Sequence, residues 1–237
     1  MNIEILHMAF CYGNAFKAFL RNCNQRKYLF DWMRTQKEQF KTTQSVLSIG
    51  IGSGVVDREL ANYMPNLERY VALEPEPGLA DLDHRFTLYN TRFEDWKSTG
   101  AKFDLVVLCH SLYYMNDKEA TIKRCMELGN RILIINECKD GLSALRRHFS
   151  CGSTFHEEEV RALLDRMGLK YKHTYLEGHI DTRDLSRDLV SFFLLRSPTD
   201  EDMANVAAYL RSCNGSEILN QYTAVIEVFK CLSGSKR

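Results

Sequence analysis

The chain has 237 residues, with 31 Lys and Arg against 31 Asp and Glu, so its formal net charge is zero. That balance, with no long block of like charge, gives no global attraction to nucleic acid or to an anionic membrane. At 45% hydrophobic and 26% charged residues, and with no apolar run of membrane-spanning length, the composition suits a water-soluble chain able to bury a full core.

The N-terminal "MNIEILHMAF" has no basic lead-in and carries Glu4 and His7, so it reads poorly as a signal peptide. Phe16, Phe19, Leu20 and Cys23 recur at helical spacing, as do Leu29, Trp32 and Met33, so the first forty residues read as helical. From Ser45 strands and helices alternate. "VLSI" (Val46–Ile49) is a short buried strand, and "DRELANYM" a helix ended by Pro65. "RYVALE" (Arg69–Glu74) and "RFTLYN" (Arg85–Asn90) are strands. "FDLVVLCH" (Phe103–His110) is apolar almost throughout, as a strand covered on both faces must be. "KEATIKRCMELG" is an amphipathic helix closed by a glycine, and "RILIIN" (Arg131–Asn136) the fifth strand. "HEEEVRALLDRMG" is a helix with acids in its first turn and a terminal glycine. "KYKHTYL" (Lys170–Leu176) alternates as a strand; helices are expected near Asp181–Leu195 and Asp200–Ser212, and "YTAVIEVFK" (Tyr222–Lys230) is the last strand. The alternation predicts an α/β fold with a mostly parallel sheet and helices on both faces. It reads as a single domain over 1–237, with an N-terminal helical segment over 1–42 and a core over 43–237 that carries a helical insertion around 181–212.

Eight cysteines (Cys11, Cys23, Cys109, Cys125, Cys138, Cys151, Cys213, Cys231) are scattered with no CxxC pair, which points to reduced thiols in a cytoplasmic protein. No ligands sit at zinc-finger or HExxH spacing, and "HEEEV" reads as a solvated helix start, so no metal is expected.

The stretch "VLSIGIGSGVVDREL" carries the chemistry. Beyond the first strand the backbone must turn sharply and admit a ligand, and side chains would obstruct both. Gly50, Gly52 and Gly54 form G-x-G-x-G. A dinucleotide fingerprint needs its third glycine where Val55 stands, and no GK[ST] follows for a P-loop. Glu74, at the tip of the second strand, is a carboxylate able to accept from both hydroxyls of a ribose.

This stretch, with Glu74 and "FDLVVLCHSLYYM", resembles the class I S-adenosylmethionine-dependent methyltransferases. The resemblance implies a Rossmann-like seven-stranded sheet with an antiparallel last strand. It also implies S-adenosylmethionine (SAM) as cofactor, S-adenosylhomocysteine (SAH) as product, and cofactor contacts at Gly50, Gly52, Gly54, Glu74, Asn90, Thr91 and Cys109. The chain is similar, more closely, to the histamine N-methyltransferase family: "YGNAFKAFL" resembles its aromatic lid helix at Tyr12, Phe16 and Phe19, "LEPEP" its ribose stretch, "SLYYM" its substrate-lining Tyr113 and Tyr114, and "LLDRMGLKY" and the last strand also fit. Five positions depart from that family. Gln25 stands for an acid on the lid helix, His110 for an amide after the fourth strand, Gln221 for an asparagine, and Leu142 and Arg146 for two tryptophans.

The implied reaction is methyl transfer to a nitrogen of a small amine or imidazole-type acceptor, histamine-like or a carboxylated relative such as histidine, by a monomeric enzyme. Its catalytic group is expected at His110, Tyr113 and Tyr114. His110 carries an imidazole, a side chain suited to serve as base or as a pocket hydrogen-bonder. Tyr12, Phe16, Phe19, Tyr113 and Tyr114 can form an aromatic box for a cationic amine or, for the phenylalanines, plain core. Arg146 can pair with a substrate carboxylate or face solvent. Transfer to oxygen or another acceptor, and cofactor binding without turnover, remain open.

Overall fold

The computed structural model describes residues 12–78, 80, 82–98, 100, 102–152, 155–214 and 217–230. Among them the helices are α1 (Tyr12–Asn22), α2 (Gln25–Thr35), α3 (Lys37–Phe40), α4 (Val55–Ala61), α5 (Lys118–Leu128), α6 (Leu142–His148), α7 (Glu157–Arg166), α8 (Arg187–Leu194) and α9 (Asp200–Asn214). The strands are β1 (Ser45–Ile49), β2 (Arg69–Leu73), β3 (Phe86–Tyr89), β4 (Phe103–Cys109), β5 (Gly129–Glu137), β6 (Tyr171–Asp181) and β7 (Ile218–Phe229).

The seven strands form one sheet in the order β3-β2-β1-β4-β5-β7-β6. The pairs β3·β2, β2·β1, β1·β4 and β4·β5 are parallel. β7 runs against its neighbours. The Cys138 amide donates to Tyr222 and the Lys230 amide to Asn130, so residue numbers rise along β5 as they fall along β7. Phe229 to Lys170 and Thr182 to Glu217 give the same sense against β6. The order reverses at β1–β4, and ligands of such sheets bind beyond the carboxyl ends at that switch.

The molecule divides into two compact units. The helical unit takes the described residues of Met1–Tyr28, Glu137–Thr154 and Leu176–Thr223; the sheet unit takes those of Leu29–Asn136, Phe155–Tyr175 and Ala224–Arg237. In the sheet unit the apolar residues of β1, β4 and β5, such as Leu47, Leu105, Leu108 and Ile134, are buried, as their unbroken apolar runs require. Leu29, Trp32 and Met33 bury the inner face of α2 in this same unit, so the N-terminal helical segment divides at Tyr28. The Asp57 carboxylate is buried beneath α4 and accepts from the Tyr70 hydroxyl at 2.8 Å. Burial raises its pKa, and the Ser48 and Tyr70 hydrogen bonds oppose that rise.

The helical unit is built around α8. Ser186 caps it by accepting from the Leu189 amide, and every residue from Leu189 to Leu194 is buried. Phe19 of α1 stacks on Phe192 with ring centroids 4.2 Å apart.

Three boundaries differ from the sequence reading. β6 runs to Asp181, past the expected end at Leu176, and β7 begins at Ile218. Gly178 hides this extension in the sequence pattern. It is tolerated in the strand because Asn24 and Gln25 pack directly on it: a Cβ there would meet Asn24 Oδ1 at 3.0 Å and the Gln25 Cα at 3.3 Å. The helix expected from Asp181 therefore starts at Arg187. α6 was not foreseen. No helix among the described residues is long and apolar enough to cross a membrane.

Candidate functional site

β1 ends at Ile49, and Gly50, Gly52 and Gly54 follow with φ of 70°, 55° and 71°. These left-handed values favour glycine, and the three positions differ in what surrounds them. A Cβ on Gly50 would lie 2.7 Å from Ser111 Cβ, so this glycine lets the ends of β1 and β4 approach. A Cβ on Gly54 would lie 2.5 Å from the Leu82 side chain. At Gly52 nothing stands within 4 Å. The backbone there faces open space, which is the property a close-approaching ligand needs. Gly54 is the N-cap of α4, so this helix start opens directly from the loop.

Glu74 follows β2 and is buried. Its Oε2 accepts from the Gly52 amide at 2.8 Å, and its Oε1 accepts from the Glu76 amide at 3.1 Å. Two carboxylate oxygens offer about four lone-pair sites, so capacity remains for two hydroxyl donors. The Asn90 amide donates to the Glu74 carbonyl at 3.3 Å, and the Glu74 amide to the Tyr89 carbonyl at 3.1 Å. The loop after β3 is thereby tied to the carboxylate's own residue, and Thr91 continues it with its amide on Tyr89. Gly50, Gly52, Gly54, Glu74 and Asn90 are thus joined in one hydrogen-bonded and packed set inside the sheet unit.

β4 ends at Cys109, which is half-buried. His110 then takes φ 53° while its amide donates to Ile135 at 2.8 Å. A non-glycine residue in this region costs about 1 kcal/mol or more, and such strain clusters at functional sites. Ser111 is buried, and its Oγ has no hydrogen-bond partner among the described residues. Tyr113 and Tyr114 share a 3-10 turn, with rings 4.5 Å apart, and Tyr114 is 52% exposed.

The remaining substrate candidates lie in the helical unit. Of Tyr12 only the backbone is described; its side chain lies outside the described residues. Phe19 is core, and Phe16 packs beside it and Phe192 at 6.2 and 5.9 Å. Gln25 Nε2 donates to the Thr223 hydroxyl, and Gln221 is 1% exposed with no hydrogen-bond partner for its Oε1 among the described residues.

Arg146 does not face open solvent, as one of its two sequence expectations had it. Its side chain is only 11% exposed. Nη2 donates to the Phe192 carbonyl at 3.0 Å and Nε to that of Phe193 at 3.3 Å, while the guanidinium lies over the Phe192 ring. These are last-turn carbonyls of α8 that no further helical turn can satisfy, and a cation is favoured there. Nη1 stands 3.5 Å from Glu137 Oε2. Glu157, which the "HEEEV" pattern places at a solvated helix start, is instead buried, held by Arg161 at 3.0 Å and by the Tyr175 hydroxyl. Glu159 accepts from the His156 amide and closes the helix start.

Glu137 is the residue the sequence reading left out. A signal for it existed: "RILIINE" ends in an acid just as "RYVALE" does.

No family model and no curated protein matches the chain. Solved structures do. The plantazolicin methyltransferase BpumL, in complex with a monoazolic desmethylPZN analog and SAH, is 12% identical with a TM-score of 0.57, over 92% of this chain and 89% of that one. A cyclopropane-fatty-acyl-phospholipid synthase-like protein from Lactobacillus casei is 14% identical with a TM-score of 0.61, over 87% and 92%. YcgJ from Bacillus subtilis is 12% identical with a TM-score of 0.56, over 84% and 97%. At this identity the likeness establishes the fold: the chain has the seven-stranded, Rossmann-like fold of the class I methyltransferases, with β7 antiparallel.

Proposed function

We propose that the chain is a SAM-dependent N-methyltransferase acting on a small amine or imidazole-type acceptor, in the manner of the histamine N-methyltransferase family it resembles. One observation carries the cofactor: Glu74 holds the Gly52 amide while keeping lone pairs for a diol, beside a glycine whose α-carbon faces open space. Glu74 would bind the ribose hydroxyls, the loop at Gly50, Gly52 and Gly54 would admit the amino-acid part, and Asn90, Thr91 and Cys109 would border the adenosine. The cofactor would supply an electrophilic methyl group. The chain's own work is to orient the acceptor's lone pair and exclude water. His110, Tyr113 and Tyr114 would border the acceptor, with His110 positioned by its constrained backbone to take a proton if the nitrogen arrives protonated.

Calorimetry with SAH and with NAD tests the cofactor: SAH binds and NAD does not. A labelled-methyl assay over histamine, histidine and related amines tests the transfer. His110→Ala lowers kcat if His110 is the base; a change confined to KM assigns it to binding alone.

A further inference from the structure

A parallel crossover ordinarily lays a helix over the sheet face it crosses. Residues 90–102 carry the chain from β3 to β4 inside the sheet unit and form no helix among the described residues. The face they cross is left partly bare. The register Tyr70–Phe86, Val71–Thr87 and Leu73–Tyr89 sorts the side chains of β2 and β3. Tyr70 and Phe86 share the face beneath α4: Tyr70 reaches Asp57, and its ring lies 4.5 Å from that of Phe86. By strand alternation Arg69, Val71, Thr87 and Tyr89 point to the other face. There, with Phe103 and Trp96, they line a cavity of about 510 Å³, a volume that suits a small molecule. The cavity extends from Thr91, after β3, to Arg69 and Phe103 at the amino ends of β2 and β4. It thus runs along the sheet face, whereas the glycine loop lies beyond the carboxyl ends.

The walls of this cavity are held in place. Arg124 of α5 donates to the Phe93 and Trp96 carbonyls, which pins the loop that presents Trp96. The Arg69 guanidinium lies 4.3 Å over the Phe103 ring and gives Nη2 to the Lys102 carbonyl at 2.6 Å. An arginine has five N–H donors, so most of this fork is uncommitted among the described residues. Lys97, also at the cavity, is exposed and makes no hydrogen bond or ion pair among the described residues. Asp95 is the one carboxylate among the described lining residues. Two cations against one acid leave a net positive charge, which a carboxylate balances and a phosphate dianion exceeds. The rest of the wall is apolar or aromatic: Val71, Phe103 and Trp96 are buried, and Tyr89, its ring 6.4 Å from that of Trp96, is 44% exposed.

We propose that this cavity is a second ligand site, separate from the cofactor loop, for a flat aromatic carboxylate. The ring lies against Val71, Tyr89 and Trp96, and the carboxylate takes the free edge of the Arg69 fork and the Lys97 ammonium. The site is independent of the methyl-transfer reading, because none of the groups that recognise the ligand belongs to the glycine loop or to Glu74.

Calorimetry on the full chain tests this with two probes: indole-3-acetate, and indole-3-ethanol, the same ring without the carboxylate. The wild-type chain binds indole-3-acetate at least about tenfold more tightly than indole-3-ethanol, and saturating SAH leaves that affinity within about twofold. Arg69→Gln weakens indole-3-acetate by about tenfold and Lys97→Gln by about threefold, and neither changes indole-3-ethanol binding. Tyr89→Ala weakens both probes. Arg69→Gln also loses the bond to Lys102, so a melt accompanies it; Lys97 is exposed and unbonded among the described residues, and its variant tests the site whether or not Arg69→Gln folds. Absence of indole-3-acetate binding at millimolar concentration, equal affinity for the two probes, displacement of indole-3-acetate by SAH, or unchanged affinity in Lys97→Gln overturns the proposal. Failure of the wild-type chain to bind SAH overturns the methyltransferase reading alone.

Discussion

Replacing Gly52 by alanine separates backbone strain from ligand exclusion at one atom. Gly52 has φ 55°, and an added Cβ would meet nothing within 4 Å. The folded chain therefore bears only the left-handed penalty of an L-residue, about 1–2 kcal/mol. At roughly 2–4 °C per kcal/mol for a chain of this size, Tm falls by about 2–8 °C. The Gly52 amide keeps its bond to Glu74, because that bond involves no side chain of residue 52. The new methyl instead occupies the space the ligand needs. Inserting a methyl into a filled site costs about 1–3 kcal/mol, so SAH affinity falls by roughly 5- to 150-fold. Gly168→Ala is the control. It has φ 67°, its Cβ also meets nothing within 4 Å, and it lies at the end of α7, away from the glycine loop. The control shares the loss of Tm and keeps SAH affinity. Calorimetry and a thermal melt on both variants decide the matter. SAH binding within about twofold of wild type in Gly52→Ala refutes the assignment of that open space to the cofactor.

Three further outcomes follow from single contacts. Gly141→Ala places a Cβ 2.0 Å from the Asn220 main-chain oxygen, which cannot rotate away; stability drops by about 3 kcal/mol or more, read from denaturant midpoints, and a loss under about 1 kcal/mol would contradict the packing. His110→Gly relieves the φ of 53°, so it matches or exceeds wild-type stability by up to about 1 kcal/mol while methyl transfer falls steeply; retained turnover argues against a role for the imidazole. Asp57 has its pKa raised by burial in the folded chain. Its contribution to stability is full below the unfolded carboxylate value and is lost as pH rises through the raised folded value. Asp57→Asn lacks that loss and keeps an oxygen for Tyr70, so its Tm gains on wild type as pH rises above the ordinary carboxylate value of 3.8, and a constant difference would exclude the linkage.

Much of the sheet unit was legible in the sequence because its signals are local. The apolar runs of β1, β4 and β5 state their burial directly, and the glycines sit where the strand must turn. Glu74 lies at a strand tip a fixed distance along the chain from that turn. Each reading needs only a few neighbouring residues and the rule that parallel strands are buried on both faces.

The helical unit was legible only in outline. α1 and α9 showed their periodicity, but the reach of β6 did not, since Gly178 breaks the alternation and is justified only by Gln25 packing on it from more than a hundred residues away. The sequence leaves Arg146 between a substrate carboxylate and open solvent. Only the folded position of α8 shows that two helix-end carbonyls take its donors. Gln221 was named by resemblance, yet its bare oxygen depends on the register of an antiparallel strand inserted between β5 and β6. By itself the sequence determined which residues turn, which are buried in parallel strands, and where an acid stands at a strand tip, because those follow from local backbone geometry and hydrophobicity. The tertiary structure alone decided which polar groups are left without partners, because satisfaction of a buried donor or acceptor is settled by whatever distant segment folds against it.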